Sequence, residues 1–349
     1  MDSPVDFFKR LLLDVAKKNA SSLHLVVGSS PLFKVNGRFV SEMEELVLKK
    51  EDLDRIVHSF LTESELAALE GKREILLVKD FGDNFRFRIS VFYQKDTLSL
   101  SLNYISENII AWNELGLPAS FAKGLDRASG LLIVAGPPSS GKTSTVASII
   151  DKVNGEKRKF IMTLENPIEK VFVNKKSAIV QRQIGRDVSS FVEGLKHCLD
   201  EDPDIVYIDE IREDFELALP YILELSSGST LVILEMNAES SIRAIEKILN
   251  ISCRNLSKES VHYMLADVLY AAIAQRLIPN RESGLSLAVE VLTSNFAVKS
   301  LVREGSIYQL ESVIQNSGEE GMVSMQKSIK DLIMSGEVDR QEVGRDIEI

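Results

Sequence analysis

The sequence predicts an α/β protein whose parallel sheet lies between helices, preceded by a smaller α+β module. Three observations support this fold class. Short apolar runs alternate with helical patterns after about residue 118, which is typical of a parallel sheet buried on both faces. The motif GPPSSGKT follows one of these runs and opens a helix. Before residue 106, strands are joined by tight turns, so the two halves differ in pattern.

Residues 1–105 begin with an amphipathic helix whose apolar residues recur at helical spacing. These residues are Val5, Phe8, Leu12 and Val15. The runs LHLVV and LFKVNGRFV follow as strands, and Asn36-Gly37 within the second predicts a two-residue hairpin turn. Two helical segments around residues 50–70 precede a return to strands.

The strand NFRFRISVFY alternates apolar side chains with polar ones, so Arg86 and Arg88 project together from one face of a sheet. The opposite face carries Phe85, Phe87, Ile89 and Val91. Two interpretations of the arginines stay open. They belong to a solvated strand face, or they reach a phosphate held by another domain or subunit.

Residues 106–118 are predicted to form a linker, because they contain the only tryptophan and a Gly-Leu-Pro break. A second domain is predicted over residues 119–349. Its predicted strands are LLIVA (131–135), FIMTL (160–164), IVYI (205–208), LVIL (231–234) and LSLAVEV (285–291).

Composition narrows the class of protein. The 349 residues suit about two domains. The net charge of −11 argues against a nucleic-acid partner, because that affinity comes largely from lysine and arginine. Cys198 and Cys253 have no metal-ligand spacing, so we expect neither a disulfide nor a zinc site, and a cytoplasmic location is expected. The N-terminus does not resemble a secretory signal, and no apolar segment is long enough to cross a bilayer, so membrane association is expected to be peripheral.

GPPSSGKT matches the phosphate-binding pattern G-x-x-x-x-G-K-[ST], placed after a buried strand and before the helix TSTVASIIDKV. The main-chain N–H groups of such a loop surround a β-phosphate. Lys142 would bridge the β- and γ-phosphates, and Thr143 would ligate Mg²⁺. The residues predicted to contact ATP are Gly136, Ser139, Ser140, Gly141, Lys142, Thr143 and Ser144. The alternative is a Gly/Ser turn without a ligand.

Acidic residues follow two other predicted strands. The run DPDIVYIDEIRE ends in Asp209-Glu210, and we assign Asp209 to the water shell of the metal and Glu210 to the attacking water. The alternative is an acidic helix start. Glu165 in TLENPIE lies at the carboxyl end of a strand, where ligands collect in open α/β sheets. Asn166-Pro167 predicts a turn there, and turn chemistry explains Glu165 as well as catalysis does.

These segments, with QRQIGRDVSSFVEGLKHCLDEDPD, FAVKSLVRE and the N-terminal ASSLHLVVGSSPLFKVNGRF, resemble the type II/IV secretion ATPases, and among them the type IV pilus retraction ATPases (the PilT group). The resemblance spans nearly the whole chain in order. It implies a PAS-like N-terminal domain, a RecA-like ATPase core and a hexameric cytoplasmic ring that drives pilus disassembly through an inner-membrane platform protein. Glu165 then belongs to an acidic box, Glu210 is the catalytic glutamate, and Arg86 and Arg88 lie in the strand that supplies arginines to the nucleotide. The four-cysteine zinc insertion of the extension ATPases is missing.

The sequence departs from this family at three positions. Asn166 stands where the acidic box usually has a second acid, and Asn237 stands where a histidine is usual. Asn103 lies where the family tends to place an arginine. Asparagine makes hydrogen bonds but carries no charge. The run Ala297–Leu301 keeps the pattern of a family segment associated with retraction; the alternative is an amphipathic helix buried on its Ala297 and Leu301 side.

Two functions therefore stay open. The first is a ring ATPase of the retraction kind that uses ATP and Mg²⁺. The second is a catalytically weak ATP-binding paralogue that acts as an accessory or regulatory subunit in a homo-hexamer or a mixed ring. A generic phosphate-loop kinase is a distant third, because the sequence has no recognisable acceptor site or lid.

Overall fold

A computed structural model describes residues 3–18, 20–35, 37–41, 47–82, 85–106, 108–118, 121, 129–253, 256–282 and 284–343. By its internal contacts the chain divides into two compact units, Met1–Asn108 and Ile109–Ile349. Each unit has a hydrophobic core of its own. Among the described residues, no helix is long and apolar enough to span a membrane.

The N-terminal unit is a six-stranded antiparallel sheet with helices packed on it. Its elements are α1 (Pro4–Lys17), β1 (Ser22–Val26), β2 (Leu32–Val35), β3 (Arg38–Val40), α2 (Lys50–Phe60), α3 (Glu63–Lys72), β4 (Glu74–Asp80), β5 (Arg86–Gln94) and β6 (Thr97–Ile105). The strand order is β3-β2-β1-β6-β5-β4. Ser3 caps α1 by accepting a hydrogen bond from Asp6 N, and Pro4 suits the first turn.

The core of this unit confirms the predicted amphipathic patterns. Helix α1 buries three of the four predicted residues, Phe8, Leu12 and Val15, and also Leu11, whereas Val5 is half-buried. Strand β5 buries Phe87, Ile89 and Val91 on one face. The predicted hairpin is present, because β2 and β3 pair with Val35 opposite Arg38. The predicted turn residue Asn36 and the strand residue Asn84 lie outside the described residues.

The C-terminal unit is a seven-stranded sheet covered by helices on both faces. Its elements are β7 (Gly130–Ala135), α4 (Lys142–Glu156), β8 (Phe160–Glu165), β9 (Ala178–Gln183), α5 (Phe191–Glu201), β10 (Ile205–Ile208), α6 (Phe215–Ser227), β11 (Leu231–Met236), α7 (Ser241–Leu249), α8 (Lys258–Val268), β12 (Leu269–Pro279), β13 (Leu285–Thr293), α9 (Phe296–Glu304), α10 (Leu310–Asn316) and α11 (Met325–Met334). The strand order is β13-β12-β7-β11-β10-β8-β9.

This order confirms the predicted strands and adds to them. Strands β12, β7, β11, β10, β8 and β9 pair in parallel. The predicted last strand, β13, instead pairs antiparallel with β12. Neither β9 nor β12 was predicted from the sequence. Alternate residues of β7 enter different cores, since Leu131 and Ile133 face one layer of helices and Leu132 faces the other.

Two segments at the ends of this unit bear on the sequence interpretation. Trp112 stacks on Phe121 with ring centroids 6.2 Å apart, so part of the segment predicted as a linker packs on the C-terminal core. Helix α9 buries Val298 and Val302 while Ala297 is exposed. Leu301 is half-buried against the same core, so the suggested amphipathic helix is present, but its buried face is centred on Val298 and Val302 and does not include Ala297.

Candidate functional site

The phosphate loop, residues 136–141, connects β7 to α4. Its backbone turns through the left-handed region at Ser139 and at Gly141, where φ is +63° and +88°. Gly136 has no room for a side chain: a Cβ there would lie 2.2 Å from Ser140 Oγ and 2.7 Å from the Gln275 carbonyl oxygen. The tight fold-back of the loop therefore requires glycine at position 136.

Lys142 is the first residue of α4 and is only 7% exposed. Its Nζ donates to the carbonyl oxygens of Gly136 at 3.0 Å and Pro137 at 3.2 Å. Gln275 Nε2 supports the loop from β12 by donating to the Ser140 carbonyl at 2.8 Å. A buried amine and a helix N-terminus thus meet in one loop, an arrangement suited to a phosphate group.

Four acidic residues lie at the carboxyl ends of the neighbouring strands, and we call them the acidic edge: Glu165, Asp209, Glu210 and Glu235. Asp209 joins two strand ends. Its Oδ2 accepts a hydrogen bond from Asn166 N at 3.0 Å, and its Oδ1 accepts one from Glu210 N at 2.7 Å. The predicted Asn166-Pro167 turn is present, with a cis peptide bond.

Glu165 is the last residue of β8 and is 2% exposed. Its Oε1 accepts hydrogen bonds from Thr163 Oγ1 at 2.6 Å and from Gln181 Nε2 at 3.0 Å. Burial raises the pKa of Glu165 to about 7, and repulsion from Asp209 adds to the shift. A carboxyl group that titrates near neutrality is suited to proton transfer.

Glu210 is more accessible than Glu165. Its Oε2 lies 3.8 Å from Arg212 Nη2, and it lines a cavity of about 440 Å³. Asn237, at the predicted histidine position, lines the same cavity, and its carbonyl oxygen accepts a hydrogen bond from Lys247 Nζ. The cavity therefore has a lysine, Lys247, beside the predicted histidine position.

Glu235, in β11, was missed by the sequence interpretation. Its Oε1 accepts a hydrogen bond from Tyr207 Oη at 2.8 Å, and its Oε2 accepts one from Thr143 Oγ1 at 3.5 Å. Burial, together with repulsion from Asp209, raises the pKa of Glu235 well above its ordinary range. A charged residue inside the apolar run LVILEM was the signal that could have revealed it, because glutamate is almost never fully buried without a partner.

The oxygen atoms of this region fit Mg²⁺. Hydroxyl and carboxylate oxygens are the ligands that Mg²⁺ accepts, and it usually takes one or two of them together with phosphates and water. Thr143 and Asp209, the two predicted ligands, both belong to the region. Within the part of the chain that the structure describes, no group of three His, Cys, Asp or Glu side chains could hold a metal ion.

The two predicted arginines lie in the N-terminal unit. Arg86 Nη1 donates to Asp80 Oδ1 at 3.1 Å and to Oδ2 at 3.2 Å. Arg88 lies opposite Asn103 in the register of β5 and β6. Asn103, the position predicted to correspond to an arginine, is therefore adjacent to Arg88 on the next strand.

A sequence profile of the type II/IV secretion system protein family matches residues 3–327. The chain belongs to this family. The type IV pilus retraction ATPase PilT of Pseudomonas aeruginosa is 30% identical over 95% of this chain and 95% of its own length. The uncharacterised protein YggR of Escherichia coli is 29% identical over 92% of this chain and 96% of its own length.

Among solved structures, a crystal structure of the pilus retraction motor PilT with bound ADP is similar, with a TM-score of 0.80 and 29% identity. The match covers 95% of this chain and 94% of that one. The resemblance to this family and the α/β fold class with a RecA-like core are thereby confirmed. The family members matched over their whole length share both units of this chain, not only the phosphate loop.

Proposed function

We propose that this chain is an ATP-hydrolysing motor of the type IV pilus retraction kind, which couples ATP turnover to pilus disassembly and twitching motility. The observation that carries the proposal is the meeting of the phosphate loop with the acidic edge at one end of the sheet. Lys142 follows β7 and Asp209 follows β10, with only β11 between these two strands, and hydrolysis requires a phosphate cradle beside carboxylates. Similarity to PilT over nearly the whole chain supports the same function.

The chain's own residues then divide the work. The loop N–H groups and Lys142 bind the phosphates and stabilise the charge that develops on them. Glu210 orients a water molecule and accepts its proton as oxygen attacks the γ-phosphorus and the bond to ADP breaks. Glu165 can exchange a proton at the acidic edge, because its pKa is about 7. Mg²⁺, held by Thr143 and through water by Asp209, would neutralise charge on the phosphate oxygens.

The proposal extends to the assembly. Residues 1–105 serve as a PAS-like domain and residues 119–349 as the RecA-like ATPase domain, joined by a linker at 106–118. Arg86 and Arg88 contact a nucleotide, as the resemblance to the family implies. The motor works as a homo-hexamer at the cytoplasmic face of the inner membrane, on a platform protein of the pilus, without binding nucleic acid.

Phosphate release from the purified chain tests the proposal. We expect Mg²⁺-dependent release that falls by about 100-fold or more in Glu210→Gln, because a general base typically contributes that much. Lys142→Ala should lose nucleotide binding as well. Circular dichroism of both variants controls for folding. Wild-type release no faster than that of either variant would overturn the proposal.

A second function is favoured by one observation, the uncharged Asn237 in the cavity that also contains Glu210. The chain would then bind ATP, turn it over weakly and act as an accessory subunit in a ring with an active retraction ATPase. Mixing experiments distinguish the two functions. The accessory function requires co-assembly with such a partner and faster turnover by the mixture than by the sum of its components, whereas a motor hydrolyses ATP alone.

A further inference from the structure

The carboxylate of Glu235 lies between the helix that follows the phosphate loop and strand β10, after which the predicted metal-binding acid Asp209 follows directly. It is 3% exposed. One of its oxygens accepts from Thr143 and the other from Tyr207, so both are engaged by hydroxyl groups. Thr143 and Glu235 are 92 positions apart in sequence, and the parallel pairing of β7 with β11 places Glu235 opposite Val134.

The charges around Glu235 favour a cation at this place. Asp209 repels the Glu235 carboxylate and Lys142 attracts it. The Lys142 amine is hydrogen-bonded to two loop carbonyl groups. Burying a carboxylate is costly unless it is paired or bound to a metal. Two carboxylates beside a single lysine therefore gain from a divalent cation bound next to them.

We propose that Glu235 is a positioning residue for the divalent metal that accompanies the nucleotide. A threonine hydroxyl has one hydrogen to donate and two lone pairs. When Thr143 donates its hydrogen to Glu235, the lone pairs of Thr143 Oγ1 are available to the metal. The proposal rests on the proposed function, since it requires a metal-nucleotide complex in the phosphate loop.

A purely structural role for Glu235 makes a different prediction. In that case the carboxylate would serve only to accept the hydrogen bond of the buried Tyr207 hydroxyl. A glutamine at position 235 could accept the same bond through its amide oxygen, and metal binding would be unaffected. The two roles therefore differ in how strongly the metal increases the affinity for nucleotide. A measurement of protein stability alone would not distinguish them.

The test measures ADP affinity by titration calorimetry, once with Mg²⁺ and once with EDTA, for wild type and Glu235→Gln. ADP is not hydrolysed, so the readout is independent of turnover. We expect the gain in affinity due to Mg²⁺ to fall by about tenfold or more in the variant, the usual effect of removing a group that supports a metal ligand. The affinity in EDTA should stay the same or rise, because the variant cannot add negative charge near the phosphates and can only reduce it.

Glu290→Gln is the matched control. Glu290 is also buried, at 8% exposure, and accepts hydrogen bonds from Ser241 N at 2.8 Å and Ser241 Oγ at 2.6 Å, at the start of α7. This control makes the same chemical change in the same unit, and its hydrogen bonds go to Ser241 rather than to Thr143 or Tyr207, so it should keep the wild-type dependence on Mg²⁺. Tyr207→Phe removes the other partner of Glu235 and should retain most of that dependence.

The outcomes separate this inference from the proposed function. If wild type binds ADP more tightly with Mg²⁺ and Glu235→Gln shows the same gain, the positioning role is wrong while nucleotide binding stands. If wild type does not respond to Mg²⁺ at all, both proposals fail. A loss of the Mg²⁺ effect in Glu290→Gln equal to that in Glu235→Gln would also overturn the assignment.

Discussion

The phosphate loop and the acidic edge lie at the same end of one sheet, yet different interactions hold them. Apart from Lys142, the loop is shaped by main-chain groups and neutral side chains, such as the bond from Gln275 to the Ser140 carbonyl. The acidic edge collects carboxylates that repel one another, and burial raises the pKa of both Glu165 and Glu235. Steric fit therefore determines which side chains the phosphate loop can accept, whereas electrostatic repulsion determines the stability of the acidic edge.

This difference indicates how each region tolerates change. Adding atoms to the loop should be harmful even when charge is preserved, because close-packed groups cannot move apart cheaply. Removing charge from the edge should be stabilising, because buried like charges are costly. The edge therefore has the character of a functional site maintained at the expense of stability.

Gly136→Ala should have the largest effect on the loop. The new Cβ would meet Ser140 Oγ and the Gln275 carbonyl at distances that no Cβ normally adopts. We expect destabilisation of about 1–3 kcal/mol, the usual cost of overpacking, together with loss of ADP binding. Urea unfolding and calorimetric titration measure the two effects.

Gly155→Ala is the control for that variant. Gly155 lies in α4, and beyond the adjacent backbone of the helix itself a Cβ there would meet no described atom within 4 Å. The change should leave ADP affinity unaltered and raise stability by up to about 1 kcal/mol, because alanine is the better helix former. If Gly136→Ala behaves like Gly155→Ala, steric fit does not control the loop.

The loop could be predicted from sequence because its glycines and Lys142 lie within a few residues of one another. Glu165 and Asp209 could be predicted at strand ends, since the carboxyl ends of parallel strands meet at one edge. Glu235 and Gln275 could not. Gln275 supports Ser140 from 135 positions away, and β12, which carries it, was not predicted as a strand. Contacts between distant segments depend on strand order, which local patterns do not encode.

Glu165→Gln should show the cost of charge at the acidic edge. The pKa of Glu165 is about 7 in the folded chain against 4.5 for an ordinary glutamate. The folded state therefore binds more protons between these values, and this contribution to stability is lost as the pH rises from 4.5 through 7. Glutamine cannot ionise but can accept the bonds from Thr163 and Gln181. Above pH 7 the variant should be more stable than wild type by about 3 kcal/mol.

Urea unfolding over this pH range checks the prediction. Below pH 4.5 the two proteins should unfold alike, since both side chains are then neutral, and the difference should grow with pH until it levels off above about pH 7. If the free energy of unfolding depends on pH in the same way in both proteins, the prediction is wrong. Electrostatic repulsion would then not determine the stability of the acidic edge at Glu165.

Gln275→Met should have the smallest effect on the free energy of unfolding. It tests whether the phosphate loop depends on a polar contact as well as on steric fit. The change removes the bond from Nε2 to the Ser140 carbonyl, which costs about 1 kcal/mol. It also removes Gln275 Oε1, a buried oxygen without a hydrogen-bond partner among the described residues. Removing this oxygen stabilises the folded state by a similar free energy, because an unpaired buried acceptor is costly. Methionine has a similar shape, so the free energy of unfolding should change by less than about 1 kcal/mol. Destabilisation well beyond that in urea unfolding would mean that the loop depends on this polar contact from β12 as much as on the steric fit at Gly136.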